Sequence, residues 1–258
     1  MGQTLLEAVL GAEDLTLAAA LEVPASDLIG RDAGERFGRA SGIVVSADVA
    51  AALTMADVLI DFTRPAGTLA HVAACAKGGV AAVIGTTGLS EADRRALAEA
   101  ARSVPIVFAS NMSVGVTVLT RLVEIAAQRL GDGYDVEILE MHHRHKIDAP
   151  SGTALSLGEA VAAALHRNLE SDAVYARRGV TGERKAKTIG FAALRGGDVV
   201  GDHTVIFAGP GERVELTHRA SSRMTFAQGA LRAVRFVAAR RAERAVGLYD
   251  MQDVLGLR

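Results

Sequence analysis

The stretch "ADVLIDFTRPAGTLAHVAACAKGGVAAVIGTTG", residues 56–88, reads as strand, helix and strand in one run. "ADVLID" carries the apolar run Val58–Ile60 between two aspartates, reads as a buried strand and is stopped by Pro65, which has no N–H to give a ladder. "AGTLAHVAACAKGG" has helical spacing and is closed by Gly78 and Gly79. "VAAVI" is again apolar without alternation. Strands apolar at every position are buried on both faces, as in a parallel sheet covered by helices on each side. The neighbours repeat the pattern. Ser90 and Asp93 form a capping box for the helix "EADRRALAEAARS", "VPIVFAS" is a strand, and residues 114–130 are helical. Upstream, Leu5, Leu6, Val9 and Leu10 share a helical face, and "LTLAAALE", residues 15–22, has strand length. Alternating short strands and helices place this part in the α/β class. The strands end in Glu22, "DFT", "GTTG" and "SNMS", small and polar residues of the kind found where open α/β sheets bind ligands.

Beyond residue 130 the pattern changes. "DVEILEMHH" is a strand and "GTALSLGEAVAAALHRNL" a helix; "TIGFAAL", "DVVGDHTVIFA" and "ERVELTHRA" then follow as strands. "RGG" and "GPG" between them read as hairpin-type turns, which predicts an antiparallel or mixed sheet in an α+β arrangement. Residues 227–241 return to helix. The expected division is 1–113 with 223–258 as one domain and 114–222 as the other.

Composition narrows the function classes. The 258 residues carry a formal net charge of -2, 50% are hydrophobic, 22% charged and 4% aromatic, and there is no Trp. Such a chain buries a substantial core and offers neither a basic nucleic-acid groove nor a base-stacking platform. Its apolar runs are interrupted by charge before they reach bilayer length. The N-terminus has no basic region or cleavage site of a secretory signal, and Leu6 stands where N-myristoylation needs Ser or Thr. Cys75, the single cysteine, lies in an apolar helical pattern and reads as a buried, inert thiol. A soluble cytoplasmic protein is expected.

"MHHRHKIDAPSGTA", residues 141–154, carries the chemistry. His142, His143, Arg144, His145 and Lys146 are consecutive, in a chain of slightly negative net charge. A metal site is disfavoured because two fixed cations are interleaved with the imidazoles and no further ligand set stands nearby. A solvated basic loop remains open. The third reading is a site for an anionic substrate with an acid/base imidazole. Pro150, the N-cap Ser151 and Gly152-Thr153 open a helix, whose free N–H groups and partial positive charge suit a carboxylate or phosphate.

"EMHHRHKIDAPSGTA" resembles the signature of the dihydrodipicolinate (4-hydroxy-tetrahydrodipicolinate) reductases of lysine and diaminopimelate biosynthesis. "IDFTRP", "IGTTG", "ASNMSVGV", "VTGER", "GDHTVIFAGPGERVELTHRASSRMTFAQGALRA" and "YDMQDVLGL" extend the resemblance over nearly the whole chain. It implies a Rossmann-type cofactor domain, a substrate and tetramerisation domain, and hydride transfer from NADH or NADPH to a small cyclic dicarboxylate. By position, His142 would be the acid/base residue and Lys146 a second proton donor. His143, Gly152 and Thr153, with Ser151 and Arg223 less firmly, would bind substrate. Gly85, Thr86 and Thr87 would lie along the cofactor, and Ala109, Ser110, Asn111 and Met112 beside its nicotinamide end.

Glu22 stands about twenty residues after the expected glycine loop, where an acid bonds both ribose hydroxyls. Val23 and Pro24 follow it where several relatives have an arginine for a 2′-phosphate, so NADH is the expected cofactor unless Arg31 or Arg36 swings in. The family's glycine loop ends in Gly-Arg-Met-Gly, so Met1 and Gly2 correspond to its last residues; the first strand and most of that loop are expected to lie outside this sequence. Two other readings stand beside the reductase: a related dehydrogenase of another amino-acid precursor, and a catalytically silent oligomeric binding protein of the same fold.

Overall fold

The computed structural model describes residues 1–258. It contains two compact units, Met1–Val114 with Met224–Arg258, and Gly115–Arg223. The chain enters the first unit through α1 (Gly2–Leu10), β1 (Ala20–Leu21), β2 (Val45–Ser46), α2 (Val49–Met55) and β3 (Val58–Asp61). It continues through α3 (Pro65–Gly78), β4 (Ala81–Ile84), α4 (Glu91–Ala100) and β5 (Pro105–Phe108). The second unit takes α5 (Val114–Leu130), β6 (Asp135–His142), α6 (Gly152–Ala164), α7 (Leu169–Asp172), β7 (Ala173–Val174), β8 (Ile189–Arg195), β9 (Gly201–Gly209) and β10 (Glu212–Ala220). The chain then returns with α8 (Met224–Ala242), β11 (Gly247–Tyr249) and α9 (Met251–Leu255).

In the first unit β11, β5, β4 and β3 form a parallel sheet in that order. The missing alternation in "AAVI" is explained by its two neighbourhoods. Ala81 and Val83 pack with Leu5 and Ala8 of α1 and with α8, whereas Ala82 and Ile84 pack with Val72, Cys75 and Leu97. Burial pushes the Cys75 thiol up to about 12, so it stays protonated and inert. The Ser90–Asp93 capping box forms as the sequence predicts. No helix is long and apolar enough to cross a membrane.

The strand expected over residues 15–22 is much shorter: only Ala20 and Leu21 pair, with Val45 and Ser46. No strand bridges β1 to β3, so β1 has a partner on one edge alone and residues 15–19 join no ladder.

The second unit is a mixed sheet in the order β10, β9, β6, β8, β7. "GPG" makes the β9–β10 hairpin, in which Gly209 pairs with Glu212. "RGG" does not make one. β6 lies between β8 and β9, parallel to the first and antiparallel to the second. Its alternate residues Val136 and Ile138 fill the core against Leu157 and Val161 of α6, so the first of the five strands along the chain is the central one of the sheet.

Candidate active site

The inward face of β6 changes character along its length. Val136 and Ile138 are apolar core, but the next two positions on that face are Glu140 and His142, both buried. Sheet register surrounds them with further polar groups, since His142 pairs with Arg195 on β8 and Glu140 with His203 on β9. His142 Nδ1 lies 2.6 Å from Glu140 Oε2. The Arg195 fork donates to both Glu140 oxygens at 2.8 Å, and the Ser151 backbone N–H donates to Oε1 at 3.1 Å. Burial by itself would raise the Glu140 carboxyl; Arg195 and His142 outweigh it and hold the group below its ordinary range. Burial, and then the neighbouring His142, push His203 down to about 4, which leaves it neutral near pH 7.

Ser151 is the N-cap of α6: its hydroxyl accepts from Ala154 N at 3.1 Å and shares a hydrogen bond with His203 Nε2 at 2.9 Å. That hydroxyl is engaged beneath the helix terminus, whereas Gly152 is exposed and Thr153 half-buried at its opening turn. The loop from 143 to 146 is tied to the β8–β9 connection, with His143 N donating to Val199 O at 2.7 Å and Arg144 N to Gly197 O at 3.2 Å. His143, Arg144, His145 and Arg223 line an open cavity of about 660 Å³ together with Gly197 and Asp198. Lys146 Nζ pairs with Asp148 at 2.8 Å. No group of three or more His, Cys, Asp and Glu side chains is disposed to hold a metal ion. Of the sequence-derived residues, His142 and Ser151 thus share one buried network, and His143 shares the adjoining cavity with Arg223.

In the first unit the polar strand ends form a second cluster. Gly85 has no side chain because Phe62 packs there: a Cβ would lie 2.3 Å from its ring. The Thr86 hydroxyl is 2.7 Å from that of Thr68, and Thr87 is exposed. Ala109 N donates to Ile84 O at 3.1 Å, Ser110 is exposed, and the Asn111 side chain accepts from Ser113 N at 2.8 Å. The Met112 side chain belongs to the apolar core. Glu22 is exposed just past β1, its carboxylate engaged with Val23 N at 3.2 Å. Met1 is the N-cap position of α1 and Gly2 is exposed in its first turn. An exposed carboxylate past β1 and small residues at strand carboxyl ends fit a pyridine nucleotide.

Sequence reasoning missed Glu140, Arg195 and His203, as well as the Asp61–His71 pair beneath the Thr86 loop. Glu140 was within reach, because Glu-x-His on a strand puts both side chains on one face. Arg195 and His203 are distant in sequence and meet the site only through strand register.

The comparisons agree with this geometry. Residues 1–112 match the family described as dihydrodipicolinate reductase, N-terminus, and residues 115–255 its C-terminus. A 4-hydroxy-tetrahydrodipicolinate reductase of Thiobacillus denitrificans is 61% identical over 258 residues, covering 100% of this chain and 95% of that protein. Among solved structures, a dipicolinate-bound dihydrodipicolinate reductase from Paenisporosarcina sp. TG-14 superposes with a TM-score of 0.73 at 23% identity, over 96% of this chain and 92% of that one. GenD2 from gentamicin A biosynthesis, solved in complex with NAD, gives 0.60 at 15% identity, over 100% and 88%. Two family matches spanning nearly the whole sequence, and a full-length relative of such identity, place this chain in the 4-hydroxy-tetrahydrodipicolinate reductase family.

Proposed function

We propose the following division of labour for the family's reaction, the pyridine-nucleotide-dependent reduction of 4-hydroxy-tetrahydrodipicolinate to tetrahydrodipicolinate in lysine and diaminopimelate biosynthesis. The 4-hydroxyl must leave as water, which makes the ring conjugated, and the nucleotide, when bound, would supply a hydride to one carbon of that ring. His142 manages the proton that must reach the conjugated neighbour, where negative charge would otherwise build up. The observation that carries this role is its place at the end of β6, paired to a buried carboxylate beside a cation-rich loop. Lys146 is the second proton donor, released from Asp148 when substrate enters. His143 and Arg223 face one substrate carboxylate from their shared cavity, and Gly152 and Thr153 receive the other at the α6 N-terminus, which Ser151 anchors.

Met1, Gly2, Glu22, Gly85, Thr86, Thr87 and residues 109–112 hold the nucleotide, Met112 through its backbone. NADH is the preferred form: no cation follows Glu22, and Arg31 is engaged in a fork with Glu35 at 2.7 and 3.0 Å. The working form is a cytoplasmic homotetramer. Leu139, Met141 and Leu194, neighbours on the sheet face opposite the core, support this, with Leu194 exposed.

The deciding assay follows NADH or NADPH oxidation with freshly generated 4-hydroxy-tetrahydrodipicolinate. Turnover is expected with both, and its absence in the folded protein would return the chain to the silent binding reading. Tighter binding of NADPH than of NADH would reverse the cofactor assignment. A monomer mass by light scattering would remove the tetramer.

A further inference from the structure

Glu140 is surrounded by donors. Arg195 contributes two at 2.8 Å and the Ser151 amide one at 3.1 Å; His142 Nδ1 is the fourth partner, at 2.6 Å. Arg195 and a backbone amide can only donate, and a carboxylate gripped by a guanidinium fork is ionised and can only accept. Two lone pairs cannot face each other at that separation, so Nδ1 must carry a hydrogen. A neutral imidazole protonated on Nδ1 has its lone pair on Nε2.

Nε2 in turn faces Gly201 at the start of β9. A Cβ at that position would lie 2.9 Å from Nε2 and 3.4 Å from Cδ2. Because His142 is fixed through Nδ1, it cannot swing aside to admit such a group. Glycine at 201 is therefore a condition for an uncovered Nε2.

We propose that Glu140 and Arg195 are positioning residues that lock His142 in the Nδ1–H tautomer, making Nε2 the atom that gives and takes the proton, and that Gly201 keeps that atom open. The proposal rests on the assignment of proton exchange to His142. Arg195 has a separate part in it. It keeps the carboxylate satisfied as an anion, so the proton remains on the imidazole and does not pass to Glu140. It also donates to Asp148 O at 2.6 Å, tying the loop that carries Lys146 to the same clamp.

The test is two-bond 1H–15N correlation on the full chain labelled with 15N-histidine, taken to a pH at which His142 is neutral, its signals identified by their loss in His142→Gln. Protonated Nδ1 and bare Nε2 are expected; a neutral ring protonated on Nε2 overturns the proposal. In Glu140→Gln, whose amide can donate where the carboxylate accepted, the fixed tautomer should be lost. Its kcat should fall ~10²-fold, in the range of general acid–base effects, with substrate KM little changed. A folded Glu140→Gln that keeps both the tautomer and the kcat of the unaltered chain also overturns it. If that variant does not fold, the spectrum of the unaltered chain decides alone. That spectrum does not depend on turnover, so an inactive chain with the expected tautomer would sink the functional assignment and leave the clamp standing.

Discussion

Each unit holds one carboxylate–imidazole pair at the end of a strand, and the two are built differently. In the first unit Asp61, 1% exposed, meets His71 Nδ1 at 2.9 Å and accepts from Thr63 N at 2.7 Å. Burial would raise its carboxyl, but His71 and Thr63 outweigh that and hold it low. No guanidinium reaches it. In the second unit Glu140 has an arginine fork as well as its imidazole. Asp61 is held by an imidazole and by Thr63, with no fixed cation beside it. A carboxylate locked by arginine stays an anion whatever the imidazole does. The second arrangement suits proton exchange. The first suits bracing, since Thr63, Thr68 and Thr86 continue from Asp61 into the loop after β4.

The widest separation between the pairs should appear on removing the imidazoles. His142→Gln is expected to lower turnover by roughly 10²–10⁴-fold with nucleotide binding nearly intact. His71→Gln should change turnover by less than ~10-fold and weaken nucleotide binding instead, through the Thr86 loop. Steady-state kinetics with fluorescence titration of the nucleotide distinguishes the two patterns, and equal losses of turnover would erase the contrast.

Next in size is the cost of deleting the bracing carboxylate. Asp61→Ala strands His71 and the Thr63 amide in the interior and should destabilise the first unit by about 3 kcal/mol, the lower end for breaking a buried pair because His71 is partly exposed. Urea unfolding measures it; a change below 1 kcal/mol, the scale of a surface pair, would deny Asp61 its structural part.

The second unit should show its own signature in acid. His203 is held near 4 when folded and returns to about 6.5 when unfolded, so between those values the unfolded chain binds more protons. Its contribution is complete above pH 6.5 and is lost as pH falls toward 4, up to about 3 kcal/mol in all. In His203→Gln this part of the acid destabilisation should vanish, as denaturation midpoints at pH 7 and pH 4.5 would show; an unchanged pH slope contradicts it. Smallest, and remote from both pairs, Ser90→Ala removes the α4 cap and should cost about 1 kcal/mol with kcat and KM untouched, which sets the scale of a purely structural lesion.

Local signals made much of this readable in advance. β3, α3 and β4 follow from apolar runs, Pro65 and paired glycines, and the α6 start from Ser151, because each depends on residues close in sequence. Signals between distant residues were not readable. "RGG" is as good a turn as "GPG", and only the insertion of β6 between β8 and β9 separates them. "LTLAAALE" has strand propensity throughout, yet a ladder needs a partner, and only Ala20 and Leu21 have one. Likewise the loop histidines announced a site, while half-buried Arg195 and buried His203 depended on register.

One consequence of the Glu140 clamp concerns the entropy of the loop above it. Beyond Glu140 the chain runs through the last two residues of β6 and the loop 143–150, and comes back to the same carboxylate through the Ser151 amide, with a cross-tie from Arg195 to Asp148 O. The segment is a closed ring rather than an open span, and closing a ring removes most of the chain conformations available to it. His143, Arg144, His145 and Lys146 are thus gathered before any ligand arrives. A dianion meeting them has little backbone left to order, so more of its electrostatic attraction survives as affinity.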